Sequence, residues 1–473
     1  MTPVTENTSV RLPLSQEAER IIAILRSAGH DAWLVGGAVR DLLCGERPQD
    51  EDVATAARPE QIRSALEGLG GRFIDRGGEK YGTVVLVLNG REFEVTTFRA
   101  DGDYSDGRRP DTVAFGGSID EDLRRRDFTI NAMAYAPGEG LRDPFGGEKD
   151  LRAGRIRAVG DPEARLREDP LRMLRGVRFA IVRGAAVEAQ TLAAIVQNAA
   201  LLDRVSRERV GQELQKLVNA PSITDTALLH RSGLLGVISP AAERMFSCPQ
   251  NTPWHCMDVG MHTCAVIERC RSPRVRLAAL LHDTGKPLTK TVNARGYDSF
   301  PGHAAVSKAI AEDFLRGLRF SRSDTAYIAA LVEQHDALNE VGAVKNPAKQ
   351  FHSFLIQQQR MPDEFFRDLM ELKWADFAGQ APAHPRRAEK EAGLHWLDRA
   401  FRAVLDGGLP RRVSNLAIGG GELMNLGITG RDIPPVQREL LRAVLEEPSR
   451  NTRGELLRRA EALAPSKGGK APG

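Results

Sequence analysis

The sequence predicts a mixed α/β head followed by an elongated, all-α region. Runs rich in β-forming residues fall before about residue 160. A double glycine joins a strand-like run to a helix-like one in "AWLVGGAVRDLL". Beyond about residue 160, apolar residues recur at helical spacing almost to the C-terminus. At roughly 150 residues per domain, the 473 residues suggest about three domains.

Composition removes several classes of function. With 41% hydrophobic and 27% charged residues, the chain can bury cores and is not expected to be disordered. No run approaches the ~20 apolar residues that span a bilayer. Met1 to Ser15 lack the basic-then-apolar order of a signal peptide, so the expected location is the cytoplasm, with no membrane partner. Cys44, Cys248, Cys256, Cys264 and Cys270 form no C-x-x-C pair and read as thiols rather than disulfides. The net charge of +3 decides little. The arginines, however, cluster at Arg108–Arg109, at Arg124–Arg126 and from Arg165 to Arg178, a pattern suited to phosphate.

Taken in order, residues 16–29 read as an amphipathic helix. "AWLVGGAVRDLL" is strand, tight turn and helix. "EDVATA", "GTVVLVL" and "REFEVTTFR" read as strands, with a hairpin signal at Asn89-Gly90 between the last two. Asp101 to Gly117, rich in Gly, Asp and Arg, reads as a mobile loop. Later breaks fall near Asp161–Pro162, Ser239–Pro253 and Ala381–Pro385, and the last residues have a disordered composition.

The head carries the most specific chemistry. In an extended segment Asp50 and Asp52 share one face while Glu51 points away. Two adjacent carboxylates repel unless a cation neutralises them, and hard oxygen ligands suit Mg²⁺. Alone, such a pair is more often an acidic surface patch. Upstream, Gly36 and Gly37 occupy the strand-to-helix turn, where backbone N–H groups can approach phosphate, and Arg40 lies one turn into the helix. The glycine spacing is not that of a dinucleotide fingerprint. Glu92, Glu94 and Thr96 share a strand face, so either acid is a candidate third carboxylate.

These residues lie within a recognisable pattern. "LVGGAVRDLLCGERPQDEDVATAARPEQI" resembles the first motif of the class II tRNA nucleotidyltransferase and bacterial poly(A) polymerase family. "RRRDFTINAMAY" (Arg124 to Tyr135), "DPFGGEKDL" (Asp143 to Leu151), "EDPLRMLRGVRF" (Glu168 to Phe179) and "SRERVGQEL" (Ser206 to Leu214) resemble its next four, in order. Glu51 departs from the pattern, which usually has an apolar or aromatic residue there; facing away from the pair, it is expected to matter little.

The resemblance implies a polymerase-β-like nucleotidyltransferase head with a helical neck, body and tail. It implies two Mg²⁺ ions on Asp50 and Asp52; of the two acids on the strand face, Glu94 is taken as the third catalytic carboxylate. Gly36, Gly37 and Arg40 would cradle a nucleoside triphosphate, and Arg126 would contact the nucleotide with Asp127 and Asn131 nearby. Asp169, Arg172, Arg175 and Arg178 recur every three residues, a winding stripe if helical. Asp169 can accept from the amino group of cytosine or adenine while Arg172 donates to a ring nitrogen; uracil and guanine leave Asp169 unpaired, at about 1–3 kcal/mol. Arg175 and Arg178 would serve the triphosphate or brace that pair.

The implied activity is addition of C, C and A to the 3′ end of tRNA from CTP and ATP, with the acceptor and T-arm held by shape and backbone charge. A-adding and poly(A)-adding enzymes share these motifs. The loop "DGDYSDGRRPDTVAF" matches one that assists the switch from C to A, and argues against a CC-only enzyme.

The helical region adds His262, the His282-Asp283 doublet, His303, His335-Asp336 and Asp376, which resemble the HD phosphohydrolase superfamily. His262, His282, Asp283 and Asp376 would close one site for a transition metal such as Mn²⁺, Fe²⁺, Ni²⁺ or Zn²⁺. His303 and His335 would hold a second ion or a phosphate. Two readings of another kind follow: an HD phosphohydrolase whose head only binds RNA, and a non-catalytic RNA scaffold. The expected division is 1–160 head, 161–238 RNA-binding neck, 239–385 HD-type domain, 386–465 helical tail and 466–473 disordered.

Overall fold

The computed structural model describes residues 11–101, 113–339 and 345–464. Residues 102–112 of the C-to-A loop, Arg108–Arg109 among them, and the disordered end expected at 466–473 lie outside the described residues. The chain divides into two compact units, one of residues 1–243 with 317–319 and one of the remainder.

The first unit opens with α1 (Gln16–Ser27), whose Ser15 N-cap accepts from the Ala18 N–H. A seven-stranded mixed sheet follows. Its strands are β1 (Ala32–Val35), β2 (Val53–Thr55), β3 (Arg72–Ile74), β4 (Thr83–Leu88), β5 (Arg91–Thr97) and, after a separate ribbon of β6 (Arg99–Asp101) with β7 (Val113–Phe115), β8 (Ala134–Ala136) and β9 (Gly140–Arg142). The spatial order is β3-β4-β5-β2-β1-β8-β9. Asn89 and Gly90 both have positive φ, the geometry a two-residue β4–β5 hairpin demands.

Strand alternation distributes the core to both faces. Leu34, Val53 and Val95 pack with Ile21, Ile22 and Leu25 of α1 and Ile62 and Leu66 of α3 (Pro59–Leu66). Trp33, Val35, Ala54 and Ala134 pack on the other face with Ile119 and Leu123 of α4 (Ile119–Arg124). A sheet covered on both sides offers its chemistry at strand ends, and Asp50 and Asp52 lie just before the start of β2.

After α5 (Gly147–Arg152) come α6 (Pro162–Glu168), α7 (Leu171–Arg183), α8 (Ala189–Asn198) and α9 (Arg207–Val218), as the helical periodicity predicts. Gly176 of α7 admits the Phe128 ring, which a Cβ there would meet at 2.7 Å.

Among its described residues the second unit is helical apart from a short ribbon, Thr291–Val292 with Asp298–Ser299. Among its helices Val259–Ile267, Pro273–Leu281, Arg322–Gln334 and Asp363–Gly379 pack together. No helix among the described residues is long and apolar enough to cross a membrane.

Candidate active site in the head and a histidine cluster beyond it

Asp50-Glu51-Asp52 leads into β2, which begins at Val53. The Val35 N–H bonds the Asp52 carbonyl, so the segment already runs extended along β1. Asp50 and Asp52 are exposed and Glu51 between them is 2% exposed, as period-two alternation requires. Glu51 carries more than the sequence suggests: it accepts from the Ser15 N–H at 2.9 Å and from Arg91 at 2.8 Å. The buried carboxylate ties the acidic segment to the start of α1 and to β5.

The β2–β5 pairing is parallel, with Val53 opposite Val95. One residue earlier, Asp52 comes level with Glu94. Glu92, the other sequence candidate, is 2.7 Å from Arg76. The Asp52 carboxyl is reached by solvent, yet the protein atoms crowding it, and then the charges of Glu94 and Asp50, raise its pKa to about 6 against the pull of Arg126. Glu94 and Asp50 thus both press charge on Asp52, a load that a divalent cation would relieve, although the three carboxylates are not among the groups whose ligand atoms lie within 4.8 Å of one another.

Gly36 holds φ +70° at the turn between β1 and α2 (Gly37–Leu43). A Cβ there would stand 2.6 Å from Arg126 Nη1. Arg126 therefore lies over the glycine turn, and its charge also acts on Asp52. Arg126 Nε is buried without a hydrogen-bond partner, and Nη2 meets Asp122 at 3.2 Å. Arg40 donates to Asn131 at 2.6 Å and to Asp41 at 2.8 Å. Asn131 donates to Asp127 at 3.0 Å, and Asp127 also accepts from Arg175 at 2.8 Å. Burial opposes the Asp127 charge, but Arg175 and Asn131 outweigh it and hold its pKa far below the carboxylate range. The Gly36→Ala variant is expected to strain the turn by ~1–3 kcal/mol and push Arg126 aside. Its KM for nucleoside triphosphate should rise about tenfold, checked by steady-state kinetics beside a melting curve.

One expectation for the arginine stripe is corrected. Asp169 is not on the helix: it precedes α7 with φ −144° and ψ 102°, and Pro170 intervenes. The residue before proline is driven out of helical geometry, a constraint the three-residue spacing hides. Asp169 and Arg172, expected to read the base together, are each held by other protein groups. Asp169 accepts from Arg209 at 2.7 and 3.2 Å, while Arg172 donates to Glu168 and to the Arg165 carbonyl. Arg175 binds Asp127, and Arg178 binds Glu213 of α9 at 2.7 Å.

Arg209 and Glu213 were not singled out in the sequence. The available signal was an acid among apolar α9 positions: Glu213 is 3% exposed beside buried Val210, Leu214 and Leu217.

In the second unit the seven predicted positions converge. His262, His282 and Asp376 can offer ligand atoms within 4.8 Å of one another; so can His282, Asp283 and His335, and so can His303, His335 and Asp336. His262 Nε2 is 2.9 Å from Asp376. Lys286 approaches Asp283 to 2.7 Å and His282 approaches it to 3.2 Å, but neither meets it at a hydrogen-bonding angle. Both Asp283 carboxylate oxygens and His282 Nε2 are thus buried without hydrogen-bond partners. Orphaned anionic and imidazole atoms facing each other fit a divalent cation. The cluster opens on a cavity of about 750 Å³, lined also by Lys286, Arg386 and Lys390.

Comparison with known proteins agrees with this layout. Residues 32–157 match the poly(A) polymerase head domain, 184–246 the probable RNA and SrmB-binding site of polymerase A, and 254–350 the HD domain. The chain is 50% identical over 209 residues to the CCA-adding enzyme of Geobacillus stearothermophilus, covering 44% of this chain and 50% of that one. It is 45% identical over 203 residues to the CCA-adding enzyme of Lactiplantibacillus plantarum, covering 43% and 49%. The matches thus span about half the length of these curated relatives. The crystal structure of the Bacillus stearothermophilus CCA-adding enzyme in complex with CTP superposes with a TM-score of 0.68 at 29% identity, covering 94% of this chain and 96% of that one. The Thermotoga maritima CCA-adding enzyme complexed with tRNA shares the fold, with a TM-score of 0.56 at 19% identity over 95% and 96% of the two chains.

Proposed function

We propose, for a chain that belongs to the class II tRNA nucleotidyltransferase and bacterial poly(A) polymerase family, that it adds C, C and A to the 3′ end of tRNA from CTP and ATP in the cytoplasm. The observation that carries this reading is Asp52, whose charge is opposed by Glu94 and Asp50 and favoured by Arg126, the same arginine that overlies the Gly36 turn. An acid cluster for cations thereby adjoins a cradle for a triphosphate.

The family implies use of a divalent metal. Asp50 and Asp52 would hold two Mg²⁺ ions, which when bound lower the pKa of the RNA 3′-hydroxyl and neutralise the leaving pyrophosphate. The chain's own residues do the rest. Arg126 and Arg40 hold the triphosphate over Gly36 and Gly37. The 3′-oxygen bonds the α-phosphorus in line, the bond to the β-phosphate oxygen breaks, and pyrophosphate leaves while the hydroxyl proton passes to solvent. Asp127 and Asn131 fix Arg40 and Arg175, so the cations stay in place between successive additions. Asp169 accepts from the amino group of C or A, and Arg172 donates to the ring.

The test offers the purified protein tRNA lacking CCA, tRNA lacking only the final A, and a generic RNA, each with CTP or ATP. Incorporation of both nucleotides into the first substrate is expected. ATP use without CTP use would make it an A-adding enzyme, and extension of generic RNA a poly(A) polymerase.

The orphaned Asp283 and His282 atoms favour a second reading for the other unit: a phosphohydrolase centre. There His262, His282, Asp283 and Asp376 would hold a transition metal, with His303 and His335 serving a second ion or a phosphate. A bound metal would supply an activated water, and Lys286 and Lys390 would receive the phosphate charge.

A further inference from the structure

Base selection by Asp169 requires a carboxylate held in one orientation with an acceptor site to spare. An ionised carboxylate offers about four acceptor sites. Three are taken here. The Leu171 N–H donates to Oδ1 at 3.1 Å; Arg209 donates from Nη1 to Oδ1 at 3.2 Å and from Nη2 to Oδ2 at 2.7 Å. About one site on Oδ2 is left, the number that a single base amino N–H needs. The Asp169 and Arg209 side chains are 15% and 20% exposed, so solvent screens the pair little.

The partner is also rigidly mounted. Arg209 stands in the first turn of α9, which packs against α7. One turn on, Glu213 of the same helix grips Arg178 of α7. The planar guanidinium fork thus reaches Asp169 from a helix locked to the one that begins beside it, and two parallel bonds fix the carboxylate plane as a single donor could not.

We infer that Arg209 is a positioning residue for base selection: its fork orients Asp169 and limits it to one vacant acceptor, so the site reads the presence of one exocyclic amino group. The inference rests on the nucleotidyltransferase reading above. Arg209 touches no substrate and acts through Asp169.

The experiment measures kcat and KM for CTP, ATP, UTP and GTP on tRNA lacking CCA, for the wild type, Arg209→Ala and Arg209→Lys. Inhibition by inorganic tripolyphosphate and a melting curve accompany each variant. Arg209→Ala is expected to lower the preference for CTP over UTP about tenfold, through the KM for CTP. Its tripolyphosphate inhibition constant should stay near the wild-type value. Arg209→Lys, which folds with the charge but lacks the fork, should recover only part of the preference. Three results would overturn the inference: unchanged selectivity in Arg209→Ala, an equal loss for all four nucleotides, or full selectivity in Arg209→Lys. A wild type that adds no nucleotide would remove the nucleotidyltransferase reading too, an outcome distinct from any variant-specific failure.

Discussion

The Asp52→Asn variant is expected to lose about three orders of magnitude in nucleotide incorporation, a barrier increase of ~4 kcal/mol. The amide keeps the size and one acceptor oxygen but removes the charge that makes the acid cluster a cation site. Electrostatic stabilisation of a transferring phosphoryl group is worth several kcal/mol, so the loss should appear in kcat rather than in KM for tRNA. A variant that retained a tenth of wild-type activity would exclude Asp52 from the chemistry. The same carboxylate gives a pH test. Its pKa is raised to about 6 by crowding and by Glu94 and Asp50. Below that value a proton competes with the cation, so the Mg²⁺ concentration for half-maximal activity should climb as pH falls and stay flat above. For stability the sign follows from linkage. A raised carboxylate pKa means the fold resists ionisation, so the metal-free chain loses stability as pH rises from about 4 to about 6. Added Mg²⁺ should therefore raise the melting temperature more at pH 8 than at pH 5, and Asp52→Asn should abolish that difference.

The Asp283→Asn variant is expected to abolish tight divalent-metal binding in the second unit and leave nucleotide incorporation unchanged. Asp283 belongs to the central of the three ligand groupings, and its two buried oxygens have no hydrogen-bond partner. Burial opposes its charge, but His282 and Lys286 overcome the penalty and hold its pKa well below the ordinary range, so it is ionised and ready to ligate. A metal present at a hundred times its Kd stabilises the folded state by about 2.7 kcal/mol. For a unit of this size that is a rise in melting temperature of roughly 5–10 °C. Scanning calorimetry with EDTA and then with Mn²⁺, Ni²⁺ or Zn²⁺ should show the rise in the wild type and none in Asp283→Asn. An unchanged rise would remove the metal centre, and a parallel fall in incorporation would show that the two units do not work independently.

How far these sites were legible in the sequence depended on how local their geometry is. The Asn89-Gly90 turn was readable because positive φ at both positions favours those residues. The opposite facing of Glu51 and its two neighbours followed from a period of two. The choice of Glu94 over Glu92 did not, because it depends on the parallel register of β5 against β2. The Asp169–Arg209 pair joins residues forty positions apart on different elements, a contact that no local spacing could suggest.

By itself the sequence determined the elements, the acids and glycines at strand ends and the set of histidines and aspartates, since dihedral preference and apolar periodicity act within a few residues. Tertiary structure alone decided which charges meet. Strand register brought Glu94 level with Asp52, the α7–α9 packing gave Asp169 its partner, and helix packing gathered seven side chains spread from His262 to Asp376 into one cluster beside a cavity. Those pairings lie between segments far apart in the chain, where burial and close packing, rather than local spacing, select the neighbour.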